Sequence, residues 1–236
     1  MKLILAGDTH GSKMQIEYLC QVAIANDVDK IVQLGDYGIG FDPYWNNAVN
    51  KRAKAAEIDF YFLRGNHDAP SEIRKLVDVD LMEIQSMDTN LYYLPDGCKW
   101  DWDGCTFMSV GGAHSIDQQW RTEGISWWAD EEPQRHQVER AIDQGDVDVL
   151  LTHDAPEGCV DGIGGPNDRF PDATASRLAI SAVFNSCLPE YLYHGHYHRY
   201  YKKLFQGCKV TGLDCDGTRE KSWEIFDTDQ VTRELH

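Results

Sequence analysis

The chain has 236 residues, 42% of them hydrophobic and 26% charged, and 39 acidic against 22 basic side chains leave a formal charge of −17. That length suffices to bury a substantial core in one domain, here residues 1–236, and the composition excludes the disordered class. The charge opposes nonspecific binding along a nucleic-acid backbone, and no apolar run reaches the length of a membrane span.

In chain order, the first apolar run, residues 3–6, reads as a strand that begins at once, so a signal peptide is not expected. It ends in "AGDTHG", with Asp8 and His10. Ile16, Leu19, Cys20 and Ala23 then share one helical face. A second strand, 31–34, ends in "LGDYG" with Asp36, and Trp45, Ala48 and Val49 mark a second helix. The third strand, 60–63, runs straight into Arg64, Gly65, Asn66, His67 and Asp68. A strand over 106–110 leads into "GGAHSIDQQWRTEGISWW", residues 111–128, close to Trp100, Trp102, Trp120, Trp127 and Trp128. In one reading His114, Asp117 and Arg121 form a substrate wall there, with an aromatic ring for base stacking; in the other the tryptophans pack beneath a loop and Arg121 pairs with acids.

Further on, Pro133 is placed to start a helix carrying Val138, Ala141 and Ile142. The strand 147–152 ends at His153, and a Gly-rich loop follows at 161–170 that lacks the strand and Lys-Ser or Lys-Thr of a phosphate loop. Asp172 is a candidate cap for a helix whose face is read as Leu178, Ala179, Ala182, Val183 and Ser186. The strand 191–193 leads into "HGHYHRY", and short strands are expected at 200–204, 209–211 and 223–226. Strand-helix alternation followed by strands in closer succession suggests two packed sheets with helices outside. Seven cysteines, without a CxxC pair, fit reduced thiols in the cytoplasm rather than a disulfide framework or a zinc finger.

Five strand ends therefore deliver Asp, His or Asn. Each residue alone could cap a turn, as Asp and Asn often do; their recurrence at strand ends is what points to a site. Two carboxylates, an amide oxygen and several imidazoles, with no thiolate, suit manganese, iron, zinc or nickel better than calcium. They are too many for one tetrahedral ion, so two ions sharing a carboxylate is the economical reading. The neighbouring His194 falls outside this pattern and reads as a hydrogen-bonded neighbour.

The order Asp-x-His, Gly-Asp, Gly-Asn-His-Asp, His, Gly-His-x-His resembles the calcineurin-like metallophosphoesterase superfamily. The resemblance implies an α/β fold of two facing mixed β-sheets flanked by helices. It implies one metal on Asp8, His10, Asp36 and His198, and another on Asp36, Asn66, His153 and His196. His67, adjacent to Asn66 yet outside that ligand set, is placed to protonate the leaving group, with Asp68 expected to orient it. Arg64 resembles the phosphate-contacting arginine of the Ser/Thr phosphoprotein phosphatases, although Asp68 replaces the glutamate of that branch and "GDYGIG" lacks its Asp-Arg-Gly. His114 is carried as a substrate contact. The expected activity is hydrolysis of a small phosphodiester such as a cyclic nucleotide, with two divalent ions, manganese first. The alternatives are a phosphoprotein or small-molecule phosphomonoesterase, a nuclease, and an inactive protein-binding scaffold.

Overall fold

The protein is described here by a computed structural model covering residues 1–163 and 173–231. Asp172, expected as a cap, and most of the Gly-rich loop lie outside the described residues.

Among the described residues, twelve strands form two six-stranded sheets. In the first, β1 (Lys2–Ala6), β2 (Lys30–Leu34), β3 (Asp59–Leu63) and β5 (Leu91–Tyr93) are mutually parallel. Here β4 (Gln85–Asp88) and β12 (Trp223–Asp227) close the two edges antiparallel. In the second, β7 (Cys105–Val110), β8 (Val149–Thr152), β9 (Tyr191–His194) and β11 (Cys208–Gly212) are parallel, with β6 (Cys98–Trp102) and β10 (Tyr201–Phe205) antiparallel at the edges. The described residues also form the α-helices α1 (Lys13–Ala25), α2 (Trp45–Ala55), the single turn α3 (Pro70–Ile73), α4 (Arg135–Asp143) and α5 (Thr174–Cys187).

Parallel strands covered on both faces need apolar residues at successive positions, which is why they read as continuous runs. Leu3, Leu5, Val32, Leu34, Tyr61 and Leu63 meet Phe107, Val149, Leu151, Tyr191 and Tyr193 between the sheets. The alternate residues Ile4, Ala6, Ile31, Phe60 and Phe62 cluster with Ile16, Leu19, Trp45 and Val49 of the first helices. Met108, Val110, Leu150 and Leu192 do the same with Ala141 of α4 and Ile180 and Val183 of α5. Each fully buried Leu, Ile or Phe contributes about 1.5–3 kcal/mol, so the three layers fix which ends of the strands converge.

Three expectations need correction. The buried face of α5 is Ser176, Arg177, Ile180, Val183, Phe184 and Cys187, while Leu178 is exposed, because the Ala and Ser positions let an equally apolar stripe be drawn about one position away. Pro133 does not start α4: Gln134 is its N-cap residue, with its own N–H donating to Gln137 Oε1 at 2.8 Å. Strands β4, β5 and β6 were not anticipated, since β4 and β6 are half-exposed edges with mixed composition and β5 is three residues long.

A metal-donor cluster at the strand ends

The ends of β1, β2, β3, β8 and β9 meet at one place, the carboxyl edge where open α/β sheets carry their sites. Asp8, His10, Asp36 and His198 present one donor atom each, all within 4.8 Å of one another. His198 Nε2 lies 3.0 Å from Asp8 Oδ2, and His10 Nε2 lies 3.5 Å from Asp36 Oδ2. On the other side of Asp36, His153 Nε2 is 3.3 Å from Oδ1 and 3.0 Å from Asn66 Oδ1. The His196 ring stands 5.1 Å from that of His153, and the His196 backbone N–H donates to Asp8 Oδ1 at 3.0 Å. Asp36 thus faces both groups.

Local backbone geometry is what allows this crowding. His10, Asp36, His196 and His198 all have positive φ, between 44° and 66°, a conformation that costs a non-glycine residue energy and persists only where its surroundings enforce it. The glycines before the donors answer a different need. A Cβ on Gly65 would collide with the Asp36 carboxylate and the His153 ring, and one on Gly195 would collide with Asp8. At Gly65 and Gly195 the packed edge therefore leaves no room for a side chain beside the donor.

The donor chemistry fits cations. Ser115 Oγ donates to Glu131 Oε2 at 2.7 Å, so it accepts from Asn66 Nδ2 at 3.0 Å, which turns Asn66 Oδ1 towards the site. His153 Nδ1 is bonded to the Leu34 carbonyl at 2.7 Å and must donate there, leaving Nε2 to meet the acceptors Asn66 Oδ1 and Asp36 Oδ1. Burial alone would push Asp8 and Asp36 up, yet histidine neighbours, including His198 at Asp8 and His153 at both, hold these carboxyls below the ordinary range. The same coupling works in reverse. Burial opposes charge on His10 and His153, but the carboxylates raise them to about 10 and about 9, and the bond to Asp8 raises His198 to about 11. A divalent cation held here would compete with those protons for the same donor atoms. His196, by contrast, is driven down to about 4 by burial, which keeps its ring neutral and able to donate a lone pair.

His67 sits beside Asp36, its backbone N–H donating to Oδ1 at 2.8 Å, and its ring opens onto a cleft of about 450 Å³. Ile116, Asp117, Arg121, Tyr197 and Arg199 complete much of that lining. Burial and the adjacent Arg121 lower the His67 imidazole against the pull of Asp36.

Two residues placed in the site by adjacency do different work. Asp68 does not orient His67: Oδ2 accepts the N–H groups of Tyr37 at 3.0 Å and Gly65 at 2.8 Å, and Oδ1 those of Gly38 at 2.6 Å and Ile39 at 3.1 Å. Four donors occupy its four lone-pair directions, and it ties the loop carrying Asp36 to the loop carrying Asn66. Arg64 does not face the cleft. It is 3% exposed, pairs through Nε with Asp96 Oδ2 at 2.9 Å, and donates to the Glu131 carbonyl at 2.6 Å, the Glu132 carbonyl at 3.2 Å and Gln137 Oε1 at 3.1 Å. Its fork is spent on holding the 111–132 segment. His114 Nδ1 lies 2.9 Å from Glu132 Oε1 and is not among the residues lining the cleft, while Asp117 and Arg121 line it and also pair with each other at 2.6 Å. Trp128 is buried and meets Phe41 edge-on at 5.8 Å, whereas Trp120 is exposed. His194 is a buried neighbour, bonded to the Gly195 carbonyl at 2.9 Å and the Tyr201 hydroxyl at 2.5 Å.

Sequence reasoning missed Ser115, Glu131 and Asp216, the last lying 2.8 Å from His10 Nδ1 on the side away from Asp36. These orient donors rather than donate, and only Ser115, at a sixth strand end, carried a signal.

Comparison with known proteins bears on the fold and the family. A Thermus thermophilus protein superposes with a TM-score of 0.63 at 13% identity, covering 96% of this chain and 98% of that one. A phosphopantetheinyl hydrolase from Mycobacterium tuberculosis gives 0.55 at 13% identity, covering 95% of each chain. A dimetal phosphatase from Danio rerio gives 0.54 at 13% identity, covering 91% of this chain and 87% of its own. At such identities the likeness is one of fold. No curated protein sequence matches significantly, and no helix among the described residues is long and apolar enough to cross a membrane. The sequence profile of the calcineurin-like phosphoesterases matches residues 1–200, over most of the chain and all of the donor positions, and the chain belongs to that family.

Proposed function

We propose that the protein is a dinuclear metal-dependent phosphodiesterase acting on small phosphodiesters, cyclic nucleotides among them. The observation that carries this is Asp36, whose two oxygens face separate donor groups while His67 stands beside it over the cleft. Asp8, His10, Asp36 and His198 would hold one ion, and Asp36, Asn66, His153 and His196 the other, with manganese the expected metal. When bound, such a pair neutralises phosphoryl charge and acidifies the attacking water. The chain's own part is to fix these donors through Asp68, Ser115, Glu131 and Asp216, and to hold His67 where its proton can pass to the departing alkoxide. The name of the Danio rerio protein supports a pair of ions in this fold. Free thiols throughout the described cysteines fit a cytoplasmic setting.

The diester preference has support in the Gly-Asn-His-Asp and Gly-His-x-His pairing, and the burial of Arg64 removes the feature that favoured a phosphoprotein phosphatase. The test is the initial rate of manganese-loaded protein on a nitrophenyl phosphodiester against the matching monoester, with Asp36→Asn as control. Faster diester cleavage that disappears in the control is expected. A monoester preference would replace the diester reading, and no metal-dependent rate on either would favour a binding scaffold.

A further inference from the structure

A chain of charge −17 must draw an anion into its cleft, and the lining offers two guanidinium groups for this, Arg121 and Arg199. Arg199 is exposed, whereas the Arg121 side chain is 16% exposed and braced. Its Nε donates to Asp117 Oδ1 at 2.6 Å and its Nη1 to the Ser126 carbonyl at 3.0 Å. The outer edge of the fork lies along His67, with Nη1 2.8 Å from Nδ1 and Nη2 3.0 Å from Nε2.

That last pairing is chemically mismatched. A guanidinium only donates, and a neutral imidazole has one lone pair and one N–H, so one of the two contacts sets a donor against a donor. Two parallel N–H groups are instead suited to two oxygens of a phosphoryl group, the bidentate match for which arginine is used. Asp117 and Ser126 would keep the fork aimed while leaving that edge available. We infer that Arg121 is a substrate-positioning residue: its fork takes the two non-bridging oxygens of the diester and, by leaving His67, frees that ring to face the leaving-group oxygen. The inference rests on the phosphoesterase reading and gives Arg121 the phosphate contact expected of Arg64.

The experiment uses the full chain loaded with manganese, with inorganic phosphate as inhibitor and a nitrophenyl phosphodiester as substrate. Arg121→Met is expected to raise both KM for the diester and Ki for phosphate by about ten- to a hundredfold, the effect of losing charge-assisted hydrogen bonds. Arg121→Lys keeps the charge without the fork and should fall between. Arg135→Met removes the same charge from a side chain that is 92% exposed and should stay within about twofold of wild type. Metal content and melting temperature are measured on each protein. A folded, metal-loaded Arg121→Met with KM and Ki unchanged overturns the role of Arg121 and leaves the phosphoesterase reading standing. Should Arg121→Met fail to fold, Arg121→Lys decides, and wild-type constants for it overturn the role of the fork. A wild-type protein that neither cleaves the diester nor binds phosphate overturns both readings together.

Discussion

In the proposed site Asn66 would offer its oxygen only while its amide is held in one of two nearly isosteric orientations, and Ser115 accepts from its Nδ2. Ser115→Ala removes the acceptor at 3.0 Å from Asn66 Nδ2 and the donor at 2.7 Å from Glu131 Oε2, while the Ser115 backbone N–H can still reach Glu131 Oε1 at 2.7 Å. A buried Nδ2 left without a partner costs about 1–3 kcal/mol. At about 1.4 kcal/mol per tenfold, that corresponds to roughly five- to 150-fold in metal affinity, in line with the usual effect of residues that orient a ligand. Calorimetric titration of metal-stripped protein with manganese should resolve two classes of site in the wild type. In Ser115→Ala one class weakens by about ten- to a hundredfold and the other changes little, because Asp8, His10 and His198 do not pass through Ser115. Adding Asn66→Asp should recover part of the loss, since a carboxylate has an oxygen on either side. A folded Ser115→Ala that binds both ions as wild type does would show that Asn66 is not oriented from behind, and the argument would fail.

Arg64→Met leaves Asp96 buried without its charge partner and should cost about 3–5 kcal/mol in urea unfolding, whereas a phosphate-contacting arginine would raise KM with little change in stability. For His67→Ala, the rate on an alkyl or ribose diester should fall at least tenfold more than on a nitrophenyl diester, whose leaving group needs little protonation; equal losses would reassign His67 to positioning. Chelation should lower the melting temperature by about 5–10 °C relative to protein with metal at a hundred times its Kd, and an unchanged melt would argue against resident metal. Burial raises Cys20 to about 11 and Cys98, Cys187 and Cys208 to about 12, so a thiol reagent at pH 8 should modify the part-exposed Cys215 first and the buried thiols only on unfolding. Rapid reaction of several thiols in native protein would contradict that burial.

The donors could be found in the sequence because two physical requirements coincide at them. A strand covered on both faces is written as an unbroken apolar run, and the crowded edge beyond it leaves room only for glycine beside several donors, so Leu34-Gly35-Asp36 and Leu63-Arg64-Gly65-Asn66 stand out. Helix faces rich in Ala and Ser were less legible, as α5 shows, since small residues are tolerated on either side. Adjacency misled at Arg64 and Asp68. Neighbouring positions share a place in the chain but leave the backbone in different directions, and partners decide what each side chain does. Asp96, Glu131 and Asp216 could not have been paired with Arg64, Ser115 and His10 without the fold, being 32, 16 and 206 residues distant from them.

The Ser115–Glu131 bonds and the Arg64 contact to the Glu131 carbonyl fasten both feet of the excursion between those residues at one point. Its tip carries Arg121 and the exposed Trp120 and Ile125, while the donors sit below the fastening. Lengthening a hoop closed in this way adds only a logarithmic entropy cost, about 0.6 kcal/mol per doubling. The excursion is therefore a graftable cassette: with Ser115, Glu131 and Arg64 retained, and Arg121 kept with its braces Asp117 and Ser126, the rest of its tip can be varied without rebuilding the donors beneath.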